Sequence, residues 1–371
     1  MNNKNYFPGL NGLRFFSALL VIITHIELIK FKLNITNFLH INLIEKLGVI
    51  GVSFFFVLSG FLITYLMISE VEMSKTFSIK NFYIRRILRI WPLYFFLLII
   101  GFFFLPNFVS IPYFSEKFNS NFFENLLCYL LILPNVSSSF YAPVPLIGQS
   151  WSIGIEEQFY LFWPLFLVVF KKFTFKNLLF LFLIIISIKF LVLMLHGFYN
   201  IQSIKNLFSM MKFENMVVGA IGALILKHKK SSMLNILYKP IIFLLSIFGI
   251  FSSIYLVPDF LQDGLHVIHS IFFIIIILNI SNNDSSILEN KIFNFLGKIS
   301  YGIYMYHLIV IYFLLKIVIK YDLLILNSFL GYSVFLISTL FFTIIISYLS
   351  YVFLEIKFLN LKKRFTYSSK L

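Results

Sequence analysis

Two ionisable side chains lie inside the first apolar stretch of the sequence, Leu10–Ile29. Arg14 and His25 are eleven residues apart, which on an α-helix at about 100° per residue is three turns plus about 20°. Both side chains therefore share one helical face, about 16 Å apart along the axis. A histidine suits the removal of a proton from a hydroxyl, and an arginine suits a phosphate. The alternative is an arginine that extends to the lipid interface and a histidine hydrogen-bonded within a bundle.

A pair of arginines precedes another apolar stretch. Arg86 and Arg89 lie three positions apart in the segment Arg-Arg-Ile-Leu-Arg-Ile-Trp-Pro-Leu-Tyr, which ends at Tyr94. On a helix they share a face, and together they could hold a polyphosphate that arrives from the cytosol. Taken alone, an arginine cluster beside an inner helix end is more often a topology anchor.

Two adjacent carboxylates, Glu156 and Glu157, stand at the start of a later apolar stretch. Adjacent residues point in different directions on a helix, so we expect one of the two to face a cavity. There it would orient a histidine or hydrogen-bond a sugar hydroxyl. The alternative is a pair of solvated residues at a helix N-terminus, where negative charge is favourable.

Other histidines follow. His307 lies partway into the ninth apolar stretch and adds a further buried imidazole. His266 and His269, with Asp263, have a spacing that metal sites use. Two histidines three apart without a clear third ligand are common, so we predict no metal site.

The composition excludes a water-soluble domain. Hydrophobic residues make up 60% of the 371 residues and charged residues 12%, against about 25% charged in soluble domains. The single cysteine, Cys128, excludes an intramolecular disulfide. We interpret the net charge of +15 as a topology signal, with anionic lipid headgroups as partners. No basic stripe interleaved with aromatic residues lies outside the apolar spans, so nucleic acid is not expected as a partner.

The elements that must position these residues are membrane helices. We predict an all-α integral membrane protein, a bundle of about ten transmembrane helices, with both termini cytoplasmic and no appended soluble domain. The predicted spans are Leu10–Ile29, Gly48–Ile68, Ile90–Phe104, Glu157–Phe170, Leu178–Leu195, Phe213–Leu226, Ile241–Val257, Leu265–Ile280, Ser300–Val318 and Ser328–Glu355. The apolar segment Phe122–Leu133 is too short to cross, so we place it as a re-entrant or interfacial piece.

The distribution of basic residues supports this orientation. The inner loops of the layout hold 20 of the 30 Lys and Arg residues and the outer loops hold seven, as expected when the N-terminus is cytoplasmic. The longest outer connection, from residue 105 to about residue 150, is expected to shape a binding site on its face.

Five sequence blocks occur in an order that is typical of one family. They are Leu13-Arg14 with His25, Gly51-Val-Ser-Phe-Phe-Phe-Val-Leu-Ser59-Gly60-Phe61, Arg86-x-x-Arg89 with Trp91-Pro92-Leu-Tyr94, Trp151-Ser-Ile-x-x-Glu156-Glu157-Gln-Phe-Tyr160, and Ser300-Tyr-Gly-Ile-Tyr-Met-Tyr-His307. Together they resemble the membrane acyltransferase 3 family, whose members include O-antigen acetylases. The resemblance runs from about Pro8 to Lys357, and we divide the chain into a transmembrane domain, residues 8–357, and a basic cytoplasmic tail, residues 358–371.

The resemblance implies transfer of an acyl group to a hydroxyl of an extracytoplasmic glycan, such as O-antigen, capsule or another surface polysaccharide. The expected donor is acetyl-CoA or another acyl-CoA on the cytoplasmic side, a co-substrate rather than a permanently bound cofactor. The expected acceptor is a glycan or lipid-linked glycan on the outer side. The expected location is the cytoplasmic (inner) membrane of a bacterium, and a separate soluble partner is an alternative to a chain that acts alone.

The resemblance also implies residue roles. Similar proteins need the arginine and histidine of the first span, which points to Arg14 and His25, and associate the Arg-x-x-Arg pair with the donor, which points to Arg86 and Arg89. Arg14 is also expected to contact donor phosphates. Family members often carry Asp where this chain has Asn11, so the acidic partner of His25 is open, with Glu156 and Glu157 as candidates. Further side chains expected to line the cavity are Ser59, Tyr94, Trp151, Tyr160 and His307.

Two other functions compete with acyl transfer. A transporter or flippase for a lipid-linked sugar or small solute could line its path with the same polar residues. Such proteins often show paired, Gly/Pro-interrupted spans in two related halves, and the sequence shows none. A non-catalytic membrane scaffold would have little use for an arginine and a histidine on one buried face.

Overall fold

The computed structural model describes residues 7–109, 118–228, 231–257, 264–282, 288–321 and 328–366, and this part of the chain is mostly helical and contains no strand. The helices are α1 Leu10–Lys32, α2 Asn42–Ser74, α3 Ile79–Ile99, α4 Phe122–Leu130, α5 Pro134–Phe140, α6 Trp151–Phe170, α7 Phe175–Tyr199, α8 Gln202–Met210, α9 Phe213–Lys227, α10 Ser231–Leu237, α11 Pro240–Leu256, α12 Leu265–Ser281, α13 Lys291–Lys298, α14 Ser300–Lys320, α15 Phe329–Ser350 and α16 Ile356–Lys362. Helix α3 continues as a π-helical turn, Ile100–Phe104, and α15 as another, Tyr351–Glu355.

Eight helical segments of the described residues are long and apolar enough to cross a membrane, which makes the chain a multi-pass membrane protein. They are Leu10–Lys32, Asn42–Ser74, Ile79–Asn107, Gly148–Phe170, Phe175–Tyr199, Gln202–Lys227, Ser300–Lys320 and Phe329–Phe365. Two shorter apolar helices, α11 and α12, have 17 residues each and coincide with the two remaining predicted spans. The count of about ten crossings and the cytoplasmic placement of both termini stay predictions.

Helix formation follows from the solvent. A chain segment in lipid has no water to satisfy its backbone N–H and C=O groups, so it must satisfy them within the helix. Several helix starts are capped by side chains, with Ser78, Thr174, Asn290 and Ser328 each accepting a hydrogen bond from a backbone N–H three residues on. These caps pair donors that a first helical turn leaves open.

Three predicted boundaries were wrong, each time because a charged residue was taken as the end of a span. Helix α3 begins at Ile79 rather than Ile90, so the arginines that follow lie within a spanning helix and not in a loop. Helix α6 begins at Trp151, which puts both glutamates inside the helix rather than at its solvated start. Helix α1 extends to Lys32, and its residue Lys30 is 1% exposed and paired with Glu27 at 3.2 Å.

Glycines set the closest helix crossings. A Cβ atom built on Gly60 of α2 would lie 1.9 Å from the carbonyl oxygen of Met216 on α9, and one on Gly219 would lie 2.0 Å from the carbonyl oxygen of Val57. Small residues let helix backbones approach in this way inside a membrane. A Cβ on Gly51 would lie 2.5 Å from the carbonyl oxygen of Ser17 on α1, so α2 is held between α1 and α9.

The short helix α4 lies beside α3 and its π-helical turn, and α5 packs against α6 and α8. Helices α4 and α5 have nine and seven residues, which confirms that the segment from Phe122 is too short to cross; its position relative to the membrane stays a prediction. Tyr94 of α3 donates from its hydroxyl to the carbonyl oxygen of Tyr129 at 2.8 Å. Ser137 donates to Asn125 at 2.5 Å and so ties α5 to α4.

Candidate active site

A cavity of about 310 Å³ lies between α1, α2, α3, α6 and the start of α14. Its polar and charged lining residues are Asn11, Arg14, Ser59, Arg86, Arg89, Ser152, Glu156, Tyr160, Ser300, Tyr301, Tyr304 and Lys362. Apolar side chains of α1 and α2 complete the wall. The cavity therefore combines an apolar surface with charged groups, as sites for small-molecule substrates do.

Among the residues that the structure describes, four cations and one carboxylate line this cavity. Arg14, Arg86, Arg89 and Lys362 face the carboxylate of Glu156. In the part of the chain that the structure describes, none of these four cations has a carboxylate oxygen within the 4.0 Å of an ion pair. The excess of positive charge makes the cavity a site for an anion.

Neighbouring side chains fix the orientation of the arginines. Arg14 donates from Nη1 to Asn11 Oδ1 at 3.3 Å. The guanidinium of Arg86 lies 5.8 Å from the ring centroid of Phe82 and 5.6 Å from that of Tyr160, and such cation–π contacts hold a guanidinium plane in place. The guanidinium groups of Arg14 and Arg86 are therefore already oriented.

Arg85, unlike Arg86 and Arg89, is absent from the described lining of the cavity. Its guanidinium pairs with Glu70 at 2.7 Å and donates to the carbonyl oxygen of Phe365 at 2.9 Å. These contacts attach α3 to the end of α2 and to the turn that follows α16. As a result, Lys362 is brought to the cavity.

The two glutamates of α6 point in different directions, as adjacent residues on a helix must. Glu156 accepts a hydrogen bond from Ser59 Oγ at 2.7 Å and another from the hydroxyl of Tyr160 at 3.2 Å. Glu157 accepts one from Trp91 Nε1 at 2.9 Å, and it is absent from the described lining of the cavity. Only Glu156 faces the cavity.

His25 is paired with another histidine. Its Nδ1 lies 2.6 Å from Nε2 of His307, and the two rings are parallel within 2°. The Nδ1 atom of His307 lies 2.7 Å from the carbonyl oxygen of Tyr304, an acceptor only, so this nitrogen carries the proton. When both rings are neutral, Nε2 of His307 accepts from His25 Nδ1–H, which leaves Nε2 of His25 with a lone pair able to take a proton.

The histidine pair lies next to the cavity rather than in its lining. Tyr304 lines the cavity, and its ring centroid is 5.8 Å from that of His307. The Tyr304 hydroxyl also contacts Ser152 Oγ at 2.7 Å. Tyr304 thus connects the arginine-lined cavity to the imidazoles.

The residues proposed from sequence are distributed as follows. Arg14, Arg86, Arg89, Glu156, Ser59 and Tyr160 line the cavity; His25, His307, Glu157, Trp151 and Tyr94 do not. Trp151 packs its ring against Phe56 at 6.3 Å between centroids. The expectation that a glutamate would be the partner of His25 is corrected, because His307 occupies that place and Glu156 is bonded to Ser59 and Tyr160.

Sequence reasoning did not propose several polar residues of the lining, namely Asn11, Ser152, Ser300, Tyr301, Tyr304 and Lys362. Tyr304 carried a usable signal, since it lies three residues before His307 and so shares its helical face. Lys362 had been assigned to the basic tail; residues 358–366 instead form a continuation of the last helix that reaches the cavity. Residues 367–371 of the predicted tail lie outside the described part of the chain.

His266 and His269 are engaged elsewhere. His266 Nε2 lies 2.5 Å from Glu214 Oε1, and His269 Nε2 lies 2.8 Å from Ser253 Oγ. Asp263, their suggested companion, is outside the described residues. Among the residues that are described, no three His, Cys, Asp or Glu side chains form a group suited to a metal ion.

Comparison with known proteins gives the family. Residues 7–351 match the family described as an acyltransferase domain, acyltransferase 3. The chain belongs to this family. The resemblance found in the five sequence blocks is thereby confirmed. No solved structure matches the chain.

Named relatives include O-acetyltransferases. The chain is 29% identical to peptidoglycan O-acetyltransferase OatA of Listeria monocytogenes over 82% of its own length and 49% of the relative's. It is 34% identical to a Bacillus subtilis protein provisionally named peptidoglycan O-acetyltransferase YrhL, over 45% of this chain and 24% of that one. It is 27% identical to a Staphylococcus aureus protein provisionally named an O-acetyltransferase, over 95% of this chain and 57% of that one. The chain thus spans about half the length of relatives that it matches along most of its own.

Proposed function

We propose that this acyltransferase moves an acetyl group from acetyl-CoA, bound at the cytoplasmic face, to a hydroxyl of a glycan on the outer face of a bacterial cytoplasmic membrane. The observation that carries the proposal is the juxtaposition of a cation-lined cavity with a histidine pair, of which His307 lies one turn of α14 beyond the lining residue Tyr304. The first feature suits the phosphates of a coenzyme A thioester, and the second suits the removal of a proton from a hydroxyl.

Donor binding rests on the charges of the cavity. Arginines bind phosphate oxygens through paired N–H donors, and a lysine adds a point charge. Arg14, Arg86, Arg89 and Lys362 together supply this chemistry. The narrower acyl arm of the donor then extends past Ser152 and Tyr304 toward the imidazoles.

The transfer step uses the tautomer of His25. The glycan hydroxyl gives its proton to Nε2 of His25, and its oxygen attacks the carbonyl carbon of the thioester. The new C–O bond forms as the C–S bond breaks, and the coenzyme A sulfur leaves as a thiolate that takes up a proton. His307 holds the ring of His25 in the orientation that keeps Nε2 available, as the orienting partner of a general base does.

The acceptor is proposed from the relatives. Two of them carry peptidoglycan in their names, so cell-wall glycan joins O-antigen and capsule among the candidate acceptors. A separate soluble partner that completes the reaction on the outer face is proposed as an alternative to a chain that acts alone.

A transporter of a lipid-linked sugar is the second candidate, because a polar path through a membrane uses buried cations and histidines as well. The two functions differ in their product, since only the enzyme forms new ester bonds.

The test is the content of alkali-labile acetyl esters on surface glycans. Cells with the chain, cells without it, and cells with His25→Ala or the control His40→Ala, whose side chain is exposed, are compared at equal amounts of chain in the membrane. We expect esters to be lost in the deletion and in His25→Ala and retained in His40→Ala. Equal ester content in all four would refute acyl transfer to those glycans and favour the transporter.

A further inference from the structure

Two hydroxyl side chains in the wall of the arginine-lined cavity have no role in the transfer step as proposed so far. Ser152 of α6 and Tyr304 of α14 both belong to the described lining of this cavity. They are 4% and 5% exposed, and their hydroxyl oxygens lie 2.7 Å apart. The pair therefore joins α6 to α14 and holds two neutral hydrogen-bond donors at the cavity wall.

The proton of the Tyr304 hydroxyl is held by a long hydrogen bond. It is donated to the carbonyl oxygen of Gln149 at 3.2 Å, whereas bonds between oxygens are most often about 2.7–2.8 Å long. With the tyrosine proton on that carbonyl, the 2.7 Å contact is a donation from Ser152 to the tyrosine oxygen. The Gln149 oxygen also accepts the backbone N–H of Trp151 and lies 3.2 Å from Ser152 Oγ. It therefore keeps a partner when the tyrosine proton turns to another acceptor.

Tyr304 stands beside the histidine pair. Its ring centroid is 5.8 Å from that of His307, and the His307 centroid is 4.9 Å from that of His25. The backbone carbonyl oxygen of Tyr304 lies 2.7 Å from His307 Nδ1. One imidazole ring therefore separates the tyrosine from the proposed proton acceptor, so a carbonyl group bonded to the Tyr304 hydroxyl can meet a glycan hydroxyl that is bonded to His25.

The ring of Tyr304 is fixed in place by its neighbours. Phe55 of α2, which also lines the cavity, packs edge-on against it with ring centroids 5.8 Å apart and an interplanar angle of 74°. The hydrogen bonds of Ser152 and Gln149 hold its hydroxyl end. A donor stabilises a charge that develops during a reaction most effectively when it is oriented beforehand. The packing of Tyr304 meets this requirement.

We infer that the Tyr304 hydroxyl donates a hydrogen bond to the carbonyl oxygen of the thioester as that oxygen becomes negatively charged, and that Ser152 is a positioning residue that donates to the tyrosine oxygen. The inference rests on the proposed function and adds a catalytic residue to it.

The electron balance of the step needs no further reactant. As the glycan oxygen bonds to the carbonyl carbon, its proton goes to His25 and one electron pair of the C=O bond moves to the carbonyl oxygen. Tyr304 stabilises this oxyanion and keeps its own proton. The C=O bond then forms again, the C–S bond breaks, and the sulfur leaves with the electron pair.

The experiment compares residues of the same type that lie two positions apart. The full chain in nanodiscs is given acetyl-CoA and de-esterified glycan fragments from the surface of the cells that make it. The variants are Tyr304→Phe, Ser152→Ala and Ser152→Thr. The matched controls are Tyr306→Phe and Ser150→Ala, because these side chains are equally buried, form their hydrogen bonds elsewhere and are absent from the described lining. The measurements are kcat as a function of pH, the equilibrium Kd for acetyl-CoA and the thermal midpoint.

We expect Tyr304→Phe to lower kcat about 100-fold, the effect of losing one oxyanion donor. The Kd for acetyl-CoA should not change, because the hydrogen bond becomes strong only in the transition state. The pH at which kcat is half-maximal should also stay the same, because His25 still accepts the proton. Ser152→Ala should lower kcat about tenfold, and Ser152→Thr should restore most of it, because threonine keeps the hydroxyl. Tyr306→Phe and Ser150→Ala should change kcat little.

Equal kcat values for Tyr304→Phe and Tyr306→Phe would overturn the inference. A shifted pH midpoint in Tyr304→Phe would overturn it too, because the hydroxyl would then act by supporting the histidine pair. If Tyr304→Phe lowers the thermal midpoint so far that the chain unfolds, the comparison of Ser152→Ala with Ser152→Thr decides, and equal kcat values for those two would refute the inference.

The same data separate this inference from the proposed function. Ester formation by the unmodified chain, with no difference between Tyr304→Phe and Tyr306→Phe, would preserve the proposed function and refute the inference alone. Absence of ester with the unmodified chain would refute the proposed function itself, and with it the role of Tyr304.

Discussion

Lys362 offers a sharp test of donor binding, because the neighbouring lysine provides its control. Lys362 lines the arginine-lined cavity, whereas Lys363 is exposed and is absent from the described lining. The two lysines differ in position and hardly in chemistry. Lys362→Met and Lys363→Met each remove one positive charge from the same turn, so a difference between them reports the cavity rather than the net charge.

The expected magnitude follows from the surroundings of Lys362. A hydrogen bond to a charged group contributes about 1.5–3 kcal/mol when buried, and an exposed ion pair about 0.2–1 kcal/mol. Lys362 is half-buried, so we expect a loss of about 1 kcal/mol, which is about fivefold in affinity. Arg14, Arg86 and Arg89 repel Lys362 electrostatically, and a phosphate among them relieves that repulsion.

The assay is equilibrium binding of acetyl-CoA to the full chain in nanodiscs, beside binding of S-acetylpantetheine, which has no phosphate. Lys362→Met should weaken acetyl-CoA binding about fivefold and leave S-acetylpantetheine unchanged, and raised salt should shrink the difference. If Lys362→Met and Lys363→Met bind acetyl-CoA equally, or if S-acetylpantetheine is weakened as much as acetyl-CoA, the assignment of phosphates to this cavity is refuted.

Three further outcomes are expected. Gly219→Ala drives a Cβ against the backbone of α2 and should destabilise the chain by about 1–3 kcal/mol, which is measured as a lower thermal midpoint in detergent. Gly197→Ala is the control, because its Cβ meets nothing within 4 Å, and it should not lower the midpoint. Equal midpoints for the two variants would contradict the close packing of α9 on α2. His307→Phe removes the acceptor of the His25 Nδ1–H and should lower kcat about 100-fold with acetyl-CoA affinity unchanged; an unchanged kcat would remove the histidine pair from the mechanism. Burial, with a smaller contribution from a nearby carboxylate, raises the pKa of the Cys128 thiol, so less thiolate is present at a given pH. Alkylation of Cys128 should therefore reach half its maximal rate at a higher pH than alkylation of free cysteine. The same midpoint pH for both thiols would contradict this.

Hydropathy predicted the helices well, because a run of about 20 apolar residues has few alternatives to a membrane helix. It failed at helix ends that carry charge. Arg86 and Arg89 read as loop residues, yet they lie within α3 because they face a cavity and not lipid. Local sequence does not distinguish these two environments.

The site was predictable from sequence only where its residues lie on one helix. The shared face of Arg14 and His25 follows from helix geometry, but the partner of His25 lies 282 residues along the chain. Only the packing of α14 against α1 brings His307 there. The contribution of Lys362 likewise depends on the return of the last helix against α3, which no local pattern indicates.

The proposed function requires that the acetyl group cross the membrane, and one reconstitution tests this. The purified chain is placed in liposomes with labelled acetyl-CoA on one side and an acceptor oligosaccharide sealed on the other, beside liposomes that carry His25→Ala. We expect alkali-labile label on the sealed oligosaccharide with the unmodified chain and almost none with His25→Ala. Label that crosses without forming an ester, or an ester yield equal in both preparations, would contradict it.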